Sequence, residues 1–169
     1  TGAFRPTTRL ACCDVEGLPR CGWATSTPEY VRYHDEEWGT PLHGDDALFE
    51  RLCLEAFQSG LSWITILRKR PAFRAAFAGF SIDAVAEFGP EDEARLMADA
   101  GIVRNRAKIA AAVGNARAAQ RVPDGLDALL WSFAPDPATR PRPATLADVP
   151  ATAPESVAMA ENLKRRGFA

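Results

Sequence analysis

The chain has 169 residues, enough for one well-buried core or two lobes but not for several independent domains. Hydrophobic residues make up 47% and charged ones 25%, which excludes disorder over most of the length. A formal net charge of −2 excludes a nucleic-acid binder that is basic over its whole surface, but leaves room for a local basic face.

Residues 1–19 lack the apolar stretch and small-residue cleavage site of a secretory signal, and are expected to form a disordered extension. From residue 20 onward, almost every periodic stretch has helical spacing. Leu48, Phe49, Leu52, Cys53 and Ala56 make one stripe, behind an N-cap at Asp45 or Asp46. Ser62 caps the next segment. Phe73, Phe77 and Phe80 follow, with Pro71 suited to a first turn. Ser81 then caps the stripe Ile82, Val85 and Phe88. Pro90 opens a helix whose Glu91-Asp92-Glu93 run complements the positive end of the helix dipole. Pro135, Pro137, Pro141 and Pro143 make residues 134–145 a connecting loop. Thr152 and Glu155 have capping-box spacing, Lys164, Arg165 and Arg166 fill a last turn, and Gly167 is the stop. Alternating strand patterns are absent. The expectation is an all-α protein, a compact bundle of short helices forming a single domain over residues 20–169.

No apolar run approaches the roughly 18 residues of a membrane span. Four cysteines beside an ordinary core need not be staples, and a reducing cytoplasm is the expected compartment. The cations are mostly arginine, with lysine only at Lys69, Lys108 and Lys164. That skew suits bidentate phosphate contacts and equally follows from GC-rich coding.

Four features exceed the needs of a bland helical domain. Glu55 stands seven residues after Leu48 and three after Leu52, within an apolar stripe where a carboxylate is costly to bury unpaired. It is either a rim glutamate or a pocket carboxylate awaiting a cationic or amine-bearing ligand. Around it, Trp23, Tyr30, Tyr33, Trp38 and Trp63 crowd three of the four tryptophans and both tyrosines into 41 residues. They are core packing or a box for a flat cation, since aromatic faces attract cations and stack on bases. Cys21 and His34, with twelve residues between them, are unrelated or half of a tetrahedral zinc site. Finally, Asp99 through Ile109 reads as a helix end, a Gly-containing hairpin and a basic helix start. That is an ordinary turn or a helix–hairpin–helix presenting backbone N–H groups to a DNA phosphate.

Taken together, Arg20-Cys21-Gly22-Trp23, Tyr33-His34-Asp35-Glu36-Glu37-Trp38-Gly39, Leu54-Glu55 and Gly60-Leu61-Ser62-Trp63-Ile64 closely resemble the 3-methyladenine DNA glycosylase I family. So do Asp99 to Ile109, Gly114-Asn115-Ala116 and Trp131-Ser132-Phe133, and the resemblance runs in order from Cys21 to Ala169. It implies a base pocket of Glu55, Tyr33, Trp63 and Trp23, with Tyr30 and Trp38 close by, and catalytic roles for Glu55 and Tyr33. It implies DNA contacts from the hairpin at Gly101, Ile102, Val103, Arg104, Asn105, Arg106 and Lys108. A Gly60-Leu61 turn would probe the gap left by a flipped base. It further implies a structural zinc on Cys21, His34 and a C-terminal His and Cys. Here the chain departs from the pattern, ending at Arg166-Gly167-Phe168-Ala169 before that segment.

The activity implied is hydrolysis of the N-glycosidic bond of 3-methyladenine in alkylated double-stranded DNA, with the free base as product. No organic cofactor is expected, and the protein is expected to be a monomer. Asn105 stands where lyase-type relatives carry a lysine nucleophile, so a monofunctional enzyme is expected. Asp124 and Asp127 are the nearest downstream carboxylates, neither in a convincing motif. The alternatives are a non-catalytic binder of DNA structure, using the hairpin alone, and a pocket protein for free purines or cationic metabolites.

Overall fold

The computed structural model describes residues 11–13, 19–136, 138 and 148–169. The expected N-terminal extension and the proline-rich connection therefore lie largely outside the described residues. Among those described, the chain is helical, as expected, and divides into two compact units. One spans Thr1–Thr40 and Pro135–Pro154; the other spans Pro41–Ala134 and Glu155–Ala169.

The first unit holds a short antiparallel ladder, β1 (Ala11–Cys13) against β2 (Pro19–Cys21), in the register Cys12↔Arg20. No strand was expected from the sequence. Three residues a side are too few for an alternating pattern to show. After a 3₁₀ turn at Ala24–Ser26 comes α1 (Pro28–Glu36). Thr27 caps it by accepting the Tyr30 N–H at 3.2 Å, and Pro28 takes a first-turn position where no N–H is needed.

The second unit contains α2 (Asp45–Gln58), α3 (Trp63–Ala76), α4 (Ile82–Ala86), α5 (Pro90–Ala98), α6 (Arg106–Ala119), α7 (Gly125–Trp131) and all but the first residue of α8 (Pro154–Arg165). Phe49, Phe57, Phe73, Phe77 and Phe80 are fully buried at its centre, the last two rings stacked at 5.4 Å. Each contributes roughly 1.5–3 kcal/mol by leaving water. The buried face of α2 is Leu48, Phe49, Glu50, Cys53, Leu54 and Phe57, while Ala56 is exposed. The stripe is thus rotated from the expected one, because the large Phe57 ring, not the Ala56 methyl, fills the core beside Phe73.

Three expected helix boundaries move. Gly44 caps α2, and the two aspartates beyond it serve other helices: Asp46 accepts the Ile82 N–H at 2.8 Å and Asp45 accepts the Asp127 N–H at 2.8 Å. Pro71 lies inside α3 and not in a first turn, since the helix already starts at Trp63. Its ring nitrogen cannot donate to the Leu67 carbonyl one turn back. α8 starts at Pro154, later than a cap at Thr152 requires. Gly167 does end the last turn as expected, with φ of +89° and the Phe168 N–H reaching the Leu163 carbonyl at 3.1 Å. Among the described residues, no helix is long and apolar enough to cross a membrane.

Candidate functional site

In the first unit, Trp23 is the hub of an aromatic cluster. Its ring lies 5.5 Å from Tyr30, 6.2 Å from Tyr33 and 5.4 Å from Trp38, meeting Tyr30 and Trp38 edge-on. Helical spacing puts Tyr30 and Tyr33 on one side of α1, and the Tyr33 carbonyl accepts the Trp38 N–H at 2.9 Å, bringing the tryptophan back toward the same ring. Tyr33 is buried, whereas Trp38 keeps 54% of its surface open. Four of the expected base-pocket aromatics therefore do assemble, with one large face available for stacking.

Behind them, Arg20 is buried and forks onto Asp35, with Nε 2.9 Å from Oδ1 and Nη2 2.6 Å from Oδ2. The Arg20 hydrogen bonds, with help from His34, pull the Asp35 carboxyl down to about 2. His34 Nδ1 faces Asp35 Oδ1 at 3.0 Å, while its Nε2 accepts the Cys21 N–H at 3.3 Å. The expected pair Cys21 and His34 is thus brought together, and a carboxylate orients the ring as it does beneath many metal-bound histidines. Two donors do not close a structural zinc site, which takes four. Among the described residues, no group of three or more potential ligands gathers. The residues present fit half of the group only.

In the second unit, Glu55 lies near the end of α2. It is exposed to solvent, the rim placement that its spacing left open beside a buried one. The buried carboxylate of α2 is instead Glu50, which Arg70 and Arg74 of α3 engage at 2.5 and 2.9 Å. Glu55 nevertheless has enough protein around it to raise its carboxyl above the ordinary value, with Arg51 one turn earlier opposing the shift. Water reaches the oxygens, but not freely on every side. Arg51 also lays its guanidinium 5.6 Å from the centre of the Trp63 ring, so Glu55, Arg51 and Trp63 form a second group. Trp63 opens α3 directly after the Gly60-Leu61 turn, where Gly60 adopts φ of +80° and Leu61 is 41% exposed.

The hairpin joins α5 to α6. Ile102 is buried under it, and Lys69 of α3 donates to the carbonyls of Ala100 and Gly101, both at 3.0 Å. A Cβ on Gly101 would stand 2.9 Å from Asp99 Oδ1 and 3.0 Å from the Ala72 Cβ, which explains the glycine. The Gly101 N–H donates to Asp99 Oδ1 at 2.7 Å and the Asn105 N–H to the Val103 carbonyl at 2.9 Å. Among the described residues, the N–H groups of Val103 and Arg104 have no internal acceptor, and those of Arg106 and Ala107 open α6. Asn105 caps that helix by accepting the Lys108 N–H at 3.2 Å. Arg104 is exposed, Arg106 pairs with Glu93, and the Lys108 ammonium turns inward to the carbonyls of Phe57 and Ser59.

The downstream carboxylates stand apart from this group. Asp127 accepts the Gly44 N–H at 2.6 Å and meets His43 at 3.1 Å, contacts that lower its pKa. Asp124 is the residue before α7. Arg51 and the Glu50–Arg70–Arg74 cluster were not foreseen from the sequence. The four-residue step from Arg51 to Glu55 was the visible signal for the first; the second needed the packing of α2 on α3.

Residues 23–169 match the profile of the methyladenine glycosylase family. The DNA-3-methyladenine glycosylase 1 of Escherichia coli is 43% identical over 154 residues, covering 89% of this chain and 82% of the relative. The DNA-3-methyladenine glycosylase of Haemophilus influenzae is 38% identical over 152 residues, covering 88% and 82%. Among solved structures, a 3-methyladenine DNA glycosylase I superposes with a TM-score of 0.81 at 41% identity, over 88% of this chain and 84% of that one. The Staphylococcus aureus enzyme, solved for its recognition of 3-methyladenine, superposes with a TM-score of 0.78 at 33% identity, over 88% and 81%.

Proposed function

Because the chain belongs to the methyladenine glycosylase family, we infer that it hydrolyses the N-glycosidic bond of 3-methyladenine in alkylated DNA. The observation that carries the assignment of the site is Glu55: a solvent-reachable carboxylate with a raised pKa, one turn beyond an arginine that covers Trp63.

A purine methylated at N3 is flat and cationic, and its glycosidic bond is already weakened. Extrusion from the stack exposes it to recognition. Trp23, Tyr33 and Trp63 offer aromatic faces, with Tyr30 and Trp38 beside Trp23, and such faces favour a cationic ring over a neutral one. Glu55 accepts from the exocyclic amine and offsets the positive charge. As the C1′–N9 bond breaks, its electron pair goes to the purine, which leaves neutral. Water adds to the oxocarbenium-like C1′ and releases its proton to solvent. Glu55 and Tyr33 are the groups we place against the base.

On the DNA side, the N–H groups of Val103 and Arg104 and the start of α6 hold one phosphate, with the Arg104 charge beside them. Leu61 fills the gap left by the base. No lysine nucleophile is assigned: Asn105 caps α6, and the Lys108 ammonium is engaged by two carbonyls. These contacts support the reading of a monofunctional enzyme. The free thiols of Cys21 and Cys53 suit a reducing cytoplasm.

Incubation with methylated duplex DNA, followed by chromatography of the released bases, tests the assignment. Release of 3-methyladenine by the parent and its loss in Glu55→Ala are expected. DNA binding without base release would identify a non-catalytic binder. Half of a zinc site is proposed at Cys21 and His34, completed by two further donors. Metal analysis of a protein extended with the family's C-terminal segment checks it, with about one zinc expected and its loss in Cys21→Ser. An extended protein free of zinc would remove the proposal.

A further inference from the structure

Four carbonyls at the end of α2, from Ala56 to the C-cap Ser59, are shared between two kinds of partner. Ala56 O accepts the Ser59 N–H at 3.3 Å and Gln58 O accepts the Leu61 N–H at 2.6 Å. The other two, Phe57 O and Ser59 O, both accept from a single ammonium, Lys108 Nζ, at 2.9 and 2.6 Å. Lys108 thus caps α2 from another helix and places its charge on the negative end of the α2 dipole. Its backbone N–H is meanwhile held by Asn105, the last residue of the hairpin.

One residue is therefore bonded at both ends, to the hairpin through its main chain and, through its side chain, to the end of α2 just before the Gly60-Leu61 turn. We propose that Lys108 is a positioning residue for base extrusion, a strut fixing where Leu61 enters the stack relative to the phosphate held by the hairpin. This rests on the glycosylase function proposed above. It replaces the direct phosphate contact expected of Lys108 from the family resemblance. An ammonium aimed at two helix carbonyls is poorly placed to neutralise DNA. Exposed Leu61 is held within its own turn by the N–H it donates to Gln58 O at 2.6 Å, a bond that does not relate the turn to the hairpin; the Lys108 contacts do.

The test is a double-mutant cycle between Lys108→Met and Leu61→Ala in the full chain, read by single-turnover release of 3-methyladenine from methylated duplex. Lys108→Met should slow release by about ten- to a hundredfold, the scale of a misplaced group. In the Leu61→Ala background the same change should cost little, because the strut then has nothing to aim. Affinity for undamaged duplex should keep its salt dependence, and free 3-methyladenine should bind as to the parent, a check that the variant is folded. Lys108→Arg, which can still reach both carbonyls, should recover most of the rate. Should Lys108→Met not fold, Lys108→Arg carries the same cycle, with a smaller loss that again vanishes beside Leu61→Ala. A salt slope lower by about one would show a phosphate contact instead and overturn the strut. Equal losses in both backgrounds would overturn it too. A parent that releases no base would overturn the function itself, a result distinct from either.

Discussion

The guanidinium of Arg51 lies 5.6 Å from the centre of the Trp63 ring, one helical turn before Glu55. The arginine keeps a positive charge near the carboxylate, while surrounding protein pushes the Glu55 carboxyl upward. A raised folded-state pKa for an acid means that the ionised form is held at a cost. The associated stability is present below the unfolded value, near 4.3, and is lost as pH rises through the folded value. Glu55→Gln should accordingly raise the melting temperature at neutral pH while weakening binding of 3-methyladenine. Loss of a charged hydrogen bond costs about 1.5–3 kcal/mol, or roughly ten- to a hundredfold in affinity. Fluorescence titration and thermal melts, run side by side, check both signs. Unchanged affinity would make Glu55 a rim charge.

Base binding should also depend on pH. Free 3-methyladenine donates its exocyclic amine to Glu55, and the ionised carboxylate is the better acceptor, so affinity should fall as pH drops through the raised Glu55 pKa. In Glu55→Gln that component should be missing. A parent and variant with identical pH profiles would separate Glu55 from the base.

Glu50 is the carboxylate that holds α2 on α3. Its side chain is 10% exposed, against 17% for Arg70 and 51% for Arg74. Removing it leaves Arg70 with a lost partner in a largely buried place, whereas Arg74 can turn to water. Glu50→Ala should destabilise by about 3 kcal/mol, at the low end for a broken buried pair because Arg74 is half-exposed. Urea unfolding measures it. A loss below about 1 kcal/mol would reduce the cluster to an ordinary surface pair.

The hairpin is crowded at Gly101, where an added Cβ would force Asp99 and Ala72 to shift. Gly101→Val should shift the loop and cost about 1–3 kcal/mol of stability. Binding to damaged and undamaged duplex should weaken alike, because phosphate contacts carry no sequence information. Gel-shift or anisotropy assays on the two duplexes decide this, and unaltered affinity for both would reduce the hairpin to a helix connection.

Asp35 gives the first unit an acid limit. Hydrogen bonds from Arg20, and then from His34, lower its carboxyl to about 2. A depressed pKa contributes stability above the unfolded value of about 3.9, and that contribution disappears as pH falls toward 2. The melting temperatures of the parent and Asp35→Asn should differ at pH 6 and converge on acidification. A difference constant from pH 6 to pH 2 would show that the fork is energetically silent.

Helical character and motif identity were legible along the chain because both are local. The stripe Phe73, Phe77 and Phe80, the acidic turn after Pro90, the Asn105-to-Lys108 start of α6 and the Gly167 stop are written in residues a few positions apart. The Trp23–Tyr30–Tyr33–Trp38 cluster was legible for the same reason, as its members share α1 and its flanks. Which carboxylate of α2 is buried was not. Glu50 and Glu55 both lie close to apolar positions, and only the approach of Arg70 and Arg74 from α3 makes burial of Glu50 possible. Likewise, nothing near Lys108 in sequence says whether its ammonium faces a phosphate or the carbonyls of Phe57 and Ser59, roughly fifty residues earlier. A long, flexible cation goes wherever tertiary structure leaves acceptors unmet.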